Sequence, residues 1–471
     1  MFELVPEPTA PLRFVRAAQS RLQEARLTTP VGSVVRVAGL VIESHGPKAS
    51  LGDLCIIRGS GGRDIPVEVV GFNEQRLVLM PLEGLEGLSP GDEVRLSVQQ
   101  RRVPLASRLT GRVIDALGRP MDDAGPVEFH TPTGTEGGVP NPLRRARIRE
   151  RLTTGVRALD AFIPLGQGQR VGIFAGSGVG KSTLLGMIAR RSNADVNVVA
   201  LIGERGREVR EFLEGDLDAE GRARSIVVVS TAEKPALLRM KAAYLALSLA
   251  EQLRDEGKRV LLMMDSVTRF AMAQREVGLA VGEPPTARGY TPSVFAALPR
   301  LLERAGNSDR GSITGIFTVL VEGDDLTEPV ADATRSILDG HIVLSRELAD
   351  RNHWPAIEVL GSISRLNRDL LDEEQLALQA QVRDLLVVHR QNRDLISVGA
   401  YVAGTNPALD HALKVMPRLE AFLRQSHRDV VEDTSLWTGL AEAIRIPQPT
   451  SASAPSSRPS PVGSLRAAGG R

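Results

Sequence analysis

Arg170-Val171-Gly172-Ile173-Phe174-Ala175-Gly176-Ser177-Gly178-Val179-Gly180-Lys181-Ser182-Thr183-Leu184-Leu185-Gly186-Met187-Ile188-Ala189 is the stretch from which the rest of the chain can be read. Its first five residues are apolar enough for a buried strand, and its last seven have the composition of a helix. Between them, glycines let backbone N–H groups turn inward with no Cβ in the way. The start of the following helix adds positive potential. A strand, a glycine-rich turn and a helix start in this order make a phosphate-binding loop. Lys181 is placed to reach the β- and γ-phosphates and the Ser182 hydroxyl to meet Mg²⁺. The candidate nucleotide-binding set is therefore Gly176, Ser177, Gly178, Val179, Gly180, Lys181, Ser182 and Thr183. Ala175 stands where this loop pattern has its first glycine, a small change that keeps the loop size.

The surrounding chain is that of an ordinary globular protein. Its 471 residues are enough for about three domains. With 42% hydrophobic and 24% charged residues it can bury large cores. Lys and Arg total 58 against 57 Asp and Glu, a net charge of +1 that argues against wholesale coating of nucleic acid. One cysteine, Cys55 in an apolar run, cannot form an internal disulfide and fits a reducing cytoplasm. The first residues lack the basic and apolar regions of a secretory signal, and no apolar run reaches the length of a bilayer span.

Read in order, residues 10–27 suggest a short amphipathic helix with Arg13, Arg16, Arg21 and Arg26 on its polar face, within a leading segment 1–30. Residues 31–104 carry short β-rich runs at Val34–Val41, Ile65–Gly71, Arg76–Met80 and Glu93–Val98, with a Pro90-Gly91-Asp92 turn, and predict a small β-barrel. Residues 105–150 read as a connector. Residues 151–366 alternate apolar strands with helices, which predicts a parallel sheet covered on both faces. Its strand candidates are Val196–Ile202, Ser225–Val229, Val260–Met264 and Ser312–Leu320. Residues 367–446 read as helical, and the Pro/Ser/Ala/Gly tail 447–471 as disordered.

Two acids complete the chemistry that the loop needs. Asp265 ends the apolar run Arg259–Met264 and can hold Mg²⁺ directly or through water. Glu204, with Arg205 beside it, follows the strand that ends at Ile202. Loops at the carboxyl ends of parallel strands share one crevice, so Glu204 is expected near the same phosphates, able to orient or deprotonate water. Glu208 is a weaker candidate for that role and reads more readily as a helix-surface charge.

Ala175–Ser182, Gly203-Glu204-Arg205, Met264-Asp265-Ser266 and Ser362-Ile363-Ser364-Arg365 occur in an order that resembles the catalytic β-subunit family of rotary ATP synthases. With Val321-Glu322-Gly323-Asp324-Asp325 and Gln391-Asn392-Arg393-Asp394-Leu395, the chain is more similar to the flagellum-specific ATPases of type III protein export, from about residue 30 to about 430. The resemblance implies a β-barrel, an α/β RecA-like P-loop nucleotide domain and a C-terminal helical domain. It implies a homohexamer that hydrolyses ATP with Mg²⁺ between subunits and acts on export chaperone–substrate complexes. It also implies a stator-like regulatory subunit on the N-terminal helix and a cytoplasmic place at the inner-membrane export gate. Residue by residue, it makes Glu204 the catalytic carboxylate, sets Arg269 near the γ-phosphate, and makes Arg365 an arginine finger for the neighbouring site. The family's tyrosine before Pro355-Ala356 is Trp354 here, whose ring can stack on adenine. The acidic lever of the synthase is replaced by Ala403–Leu409, which favours an export ATPase over a proton-driven synthase. A virulence injectisome ATPase, an RNA-translocating hexameric helicase and a non-catalytic subunit are the other readings. Glu204 argues against the last. A single aromatic, Phe72, in residues 31–104 argues against the helicase.

Overall fold

The computed structural model describes residues 31–59, 61–97, 103–130, 143, 145–321, 323, 325–431 and 433–445. The expected N-terminal helix at 10–27 and the tail at 447–471 lie outside the described residues.

The first unit is a closed six-stranded barrel. Its strands are β1 (Val31–Ala38), β2 (Val41–His45), β3 (Leu54–Arg58), β4 (Asp64–Asn73), β5 (Arg76–Pro81) and β6 (Glu93–Leu96). The run Val34–Val41, read as one strand, is split because Gly39 adopts φ +60° and turns the chain into a hairpin. Alternate residues point inward, as a pleated strand requires. Cys55 and Ile57 of β3 and Ile65, Val67 and Val69 of β4 are fully buried in the barrel core. Cys55 is thus a core residue, and burial pushes its thiol up to about 11.

The nucleotide unit is organised by a nine-stranded sheet. Its main strands are β7 (Val113–Asp115), β8 (Arg170–Ala175), β9 (Val196–Ile202), β10 (Ser225–Ser230), β11 (Arg259–Asp265), β12 (Ser312–Leu320), β13 (Gly340–Val343) and β14 (Ile363–Ser364). They lie in the order β14-β13-β8-β12-β11-β9-β10-β7, all parallel except β14. The stretch read as a connector therefore supplies the far edge strand, β7, paired to β10 through Val227↔Val113. Three residues are too short a run to announce a strand locally.

Every residue of β9 and β10 is buried, and the two faces feed separate cores. Val199, Leu201, Val227 and Val229 pack with the helix that follows the phosphate loop, α1 (Lys181–Arg191). Val198, Ala200, Ile226 and Val228 pack with α3 (Ala236–Asp255), α4 (Val267–Ala280) and α5 (Pro292–Leu302). This two-sided burial explains the continuous apolar runs in the sequence.

The C-terminal unit contains α7 (Glu373–Gln391), α8 (Pro407–Leu423) and α9 (Asp433–Ile444). Asp372 and Gln375 form a capping box at the start of α7, and Asn406 caps α8. Val382, Val415, Leu419, Leu436 and Leu440 join the same core as α1, so the helical unit packs directly on the phosphate-loop side of the sheet. Gln425 fastens the seam, accepting from the Arg157 N–H at 2.9 Å and donating to the Gly155 carbonyl at 2.7 Å. On the opposite seam, Met80 and Leu82 of the barrel pack on Ala236, Leu237, Ala273 and Val277.

Candidate nucleotide site

The phosphate loop turns between β8 and α1 with Gly178 at φ +79° and Gly180 at φ +82°. These are left-handed conformations that a side chain disfavours. Val179 is buried and anchors the loop to the core, while Ser177 and Gly178 face solvent. Gly186, one turn further along α1, lets the helical turn Phe212–Asp216 pack closely, because a Cβ there would meet the Asp216 carbonyl oxygen at 2.4 Å. Burial pushes the Asp216 carboxyl upward in pKa, against the pull of the Thr183 hydroxyl.

Register brings the two predicted acids to the loop. Leu201 pairs with Asp265, so Glu204 emerges just beyond the same carboxyl edge of the sheet. The Lys181 ammonium donates to Asp265 Oδ1 at 2.5 Å and to Glu204 Oε1 at 3.2 Å. All three side chains are mostly buried, at 12%, 4% and 16% exposure for Lys181, Asp265 and Glu204. Burial and the Asp265 charge push the Glu204 carboxyl up to about 7, against the pull of Lys181. Burial works against the Lys181 ammonium, but the two carboxylates hold its pKa above the ordinary lysine value.

Of two further members of this cluster, one is only weakly marked in the sequence and the other not at all. Glu208, on α2 (Gly206–Glu211), accepts from the Arg205 N–H at 3.3 Å and interacts with Glu204 four residues before it, rather than being a plain surface charge. Thr318 of β12 donates its hydroxyl to Asp265 Oδ1 at 2.7 Å and fixes that carboxylate. Thr318 lies more than 50 residues from Asp265 in the chain, and no local signal marks it.

The remaining predicted residues fall into three places. Arg269 on α4 lays its stem against Gly203, where a Cβ would come within 2.9 Å. Among the described residues its Nε is buried without a hydrogen-bond partner, beside the Glu204 loop. Trp354 packs on the loop itself: a Cβ on Gly180 would meet its ring at 2.8 Å, yet the residue keeps 39% of its surface exposed. Arg205 points outward, with its side chain 80% exposed and paired to Glu208 at 3.5 Å. Arg365 is not part of this cluster. Ser364 pairs with Gly340, and His341 pairs with Gly172, so Arg365 follows β14 at the amino edge of the sheet. The loop leaves β8 at the carboxyl edge, about 15 Å away or more along the strand direction.

The donor set suits Mg²⁺. Asp265 Oδ2 and the Ser182 hydroxyl have no hydrogen-bond partner among the described residues, and both are hard oxygen donors. Among the described residues no three His, Cys, Asp or Glu side chains gather to hold a metal by themselves.

The family described as "ATP synthase alpha/beta family, nucleotide-binding domain" matches residues 155–364, and its beta-barrel domain matches residues 34–97. The "T3SS EscN ATPase C-terminal domain" matches residues 371–442. The flagellum-specific ATP synthase of Bacillus subtilis (strain 168) is 53% identical over 396 residues, covering 84% of this chain and 90% of the relative. The chain belongs to the ATP synthase alpha/beta family. Among solved structures, the assembled ATPase EscN of the enteropathogenic E. coli type III secretion system is 43% identical. It superposes with a TM-score of 0.83 over 88% of this chain and all of that one. EscN in complex with its central stalk EscO is 41% identical, with a TM-score of 0.79 over the same shares. The order of barrel, nucleotide unit and helical unit in this family member is thus that of its relatives.

Proposed function

We propose that this family member hydrolyses ATP to energise flagellar type III protein export, working as a homohexamer with nucleotide between subunits. The observation that carries the reading is the convergence of Lys181, Glu204 and Asp265 on the phosphate loop. Lys181 binds the β- and γ-phosphates once they displace its carboxylate partners. Ser182 and Asp265 hold Mg²⁺, which when bound neutralises charge on the phosphate oxygens. Glu204 is the base: a carboxyl near pKa 7 is matched to taking a proton from water at neutral pH. Glu208 is at hand to share that proton. Arg269 faces the γ-phosphate, and Trp354 offers its exposed ring to adenine.

The place of Arg365 supports the ring. At the amino edge of its own sheet it cannot reach its own loop, so a finger role requires a neighbour. The relative solved as an assembled ATPase supports the same arrangement. A central-stalk partner like that of EscN, and a stator-like subunit on residues 1–30, are the regulatory contacts we assign. Chaperone–substrate complexes are its cargo, and the inner-membrane face at the export gate is its place. Among the described residues no helix is long and apolar enough to cross a membrane, so that placement is peripheral. The flagellar reading stands ahead of the injectisome reading on 53% identity to the Bacillus subtilis flagellum-specific relative against 47% to the type 3 secretion system ATPase of Xanthomonas euvesicatoria, over the same share of this chain.

Glu204→Gln tests the chemistry. The amide still accepts and donates hydrogen bonds but takes no proton, so hydrolysis should fall about 10²- to 10⁴-fold while ATP affinity persists. Wild-type turnover by this variant would refute the role. Lost affinity in a folded variant would make Glu204 a binding residue instead.

A further inference from the structure

The register that takes Arg365 away from its own loop sets it in a cavity of about 400 Å³. Asp332, Arg335 and Ser336 of α6 (Pro329–Ile337), His341 of β13, and Ile363 and Arg365 at β14 line it. Two guanidinium groups share this space with one carboxylate. Arg365 has no hydrogen-bond or ion-pair partner for its side chain among the described residues. Arg335 donates to Asp332 at 2.9 Å, and the two side chains are 35% and 64% exposed. A pair that open to water is worth little and is readily exchanged for a stronger anion. His341 is half-buried, with Nε2 3.1 Å from the Gly361 carbonyl oxygen, and adds no third fixed charge. Burial first, and the two arginines with it, hold its pKa below the ordinary histidine value.

We propose that Arg335 is a second arginine acting between copies, closing with Arg365 on the phosphates of the nucleotide held by the neighbouring subunit. This rests on the reading that nucleotide lies between subunits. The ligand chemistry follows from the cavity. It is lined by two planar, bidentate cations, and a polyphosphate carries more charge than Asp332 can offer. On the loop side, Lys181, Ser182 and Arg269 cover one flank of the phosphates. The opposite flank is left for groups from another chain, and this cavity presents two of them on neighbouring elements. Asp332 holds Arg335 in place until the nucleotide of the second copy arrives.

The test uses the full-length protein as Arg335→Ala, Arg335→Lys and Arg365→Ala, each alone and each mixed over a range of ratios with Lys181→Ala. Turnover by Arg335→Ala alone should fall about 10- to 100-fold, the scale of one charge-assisted contact. Arg335→Lys should recover only part of it, because an ammonium lacks the bidentate fork. Mixing with Lys181→Ala creates interfaces that join an intact loop to two intact arginines, so activity should return in part. If Arg365→Ala recovers on mixing and Arg335→Ala does not, Arg335 acts within its own chain and the inference fails while the ring reading stands. If neither recovers, nucleotide does not lie between copies and both fail. Undiminished turnover by Arg335→Ala overturns the inference too. So does a lowered unfolding midpoint with turnover intact, which would make Arg335 a brace for the end of α6.

Discussion

Lys181→Met, without nucleotide, should destabilise the protein by an amount that grows with pH. The Lys181 ammonium lies 3.2 Å from Glu204 Oε1 in a site where all three partners are mostly buried. At an effective dielectric constant of 20 that contact is worth about 5 kcal/mol before desolvation is charged against it. Removing one partner of such a cluster costs about 3–5 kcal/mol. The pH dependence follows from Glu204. Its folded pKa, about 7, lies above the unfolded value near 4.5, so wild-type stability declines as pH rises toward 7 and then levels. Lys181 is the group pulling that value down, so the variant moves Glu204 above 7. Between 7 and the new value the variant's native state holds one more proton than the wild type's. The gap between them then widens by about 1.4 kcal/mol per pH unit. From pH 5.5 to pH 8.5 the variant's deficit should increase by up to about 2 kcal/mol, all of it above pH 7. Urea unfolding of both proteins at pH 5.5, 7.0 and 8.5 reads this directly. A deficit independent of pH, or one that shrinks as pH rises, would refute the coupling of Lys181 to Glu204.

The same carboxyl should appear in the rates: kcat/KM for ATP should fall about tenfold per unit below pH 7, and a flat profile from pH 5.5 to 8.5 would remove Glu204 as the base. Gly180→Ala places a Cβ 2.8 Å from the Trp354 ring at φ +82°, a left-handed conformation costing about 1–2 kcal/mol. ATP affinity measured by equilibrium titration should drop about tenfold or more, and undiminished affinity would show that the loop tolerates the shift. In a Trp437→Phe background Trp354 is the one remaining tryptophan. Its emission should quench or shift on adding ATP, whereas an unchanged spectrum would place adenine elsewhere.

What the amino-acid sequence determines by itself is local. The spacing of Gly178 and Gly180 before Lys181 and Ser182 specifies a phosphate turn, because only glycine adopts those dihedrals at no cost. The run Ser312–Leu320 is a strand from end to end, because a strand buried on both faces needs no polar alternation. Glu204 and Asp265 were legible because each ends an apolar strand, and parallel strands deliver such ends to one edge. The tertiary structure decides what those ends meet. Thr318 finds Asp265 only after the strand order β8-β12-β11-β9 is set, and that order depends on contacts between distant segments. Val113–Asp115 becomes a sheet strand only because the edge of β10 is open to it. Trp354 reaches Gly180 across more than 170 residues of chain. The separation of Arg365 from its own loop is a matter of register alone. An antiparallel β14, paired Ser364 to Gly340, turns the chain back to the amino edge, and no residue near Arg365 encodes the distance that follows.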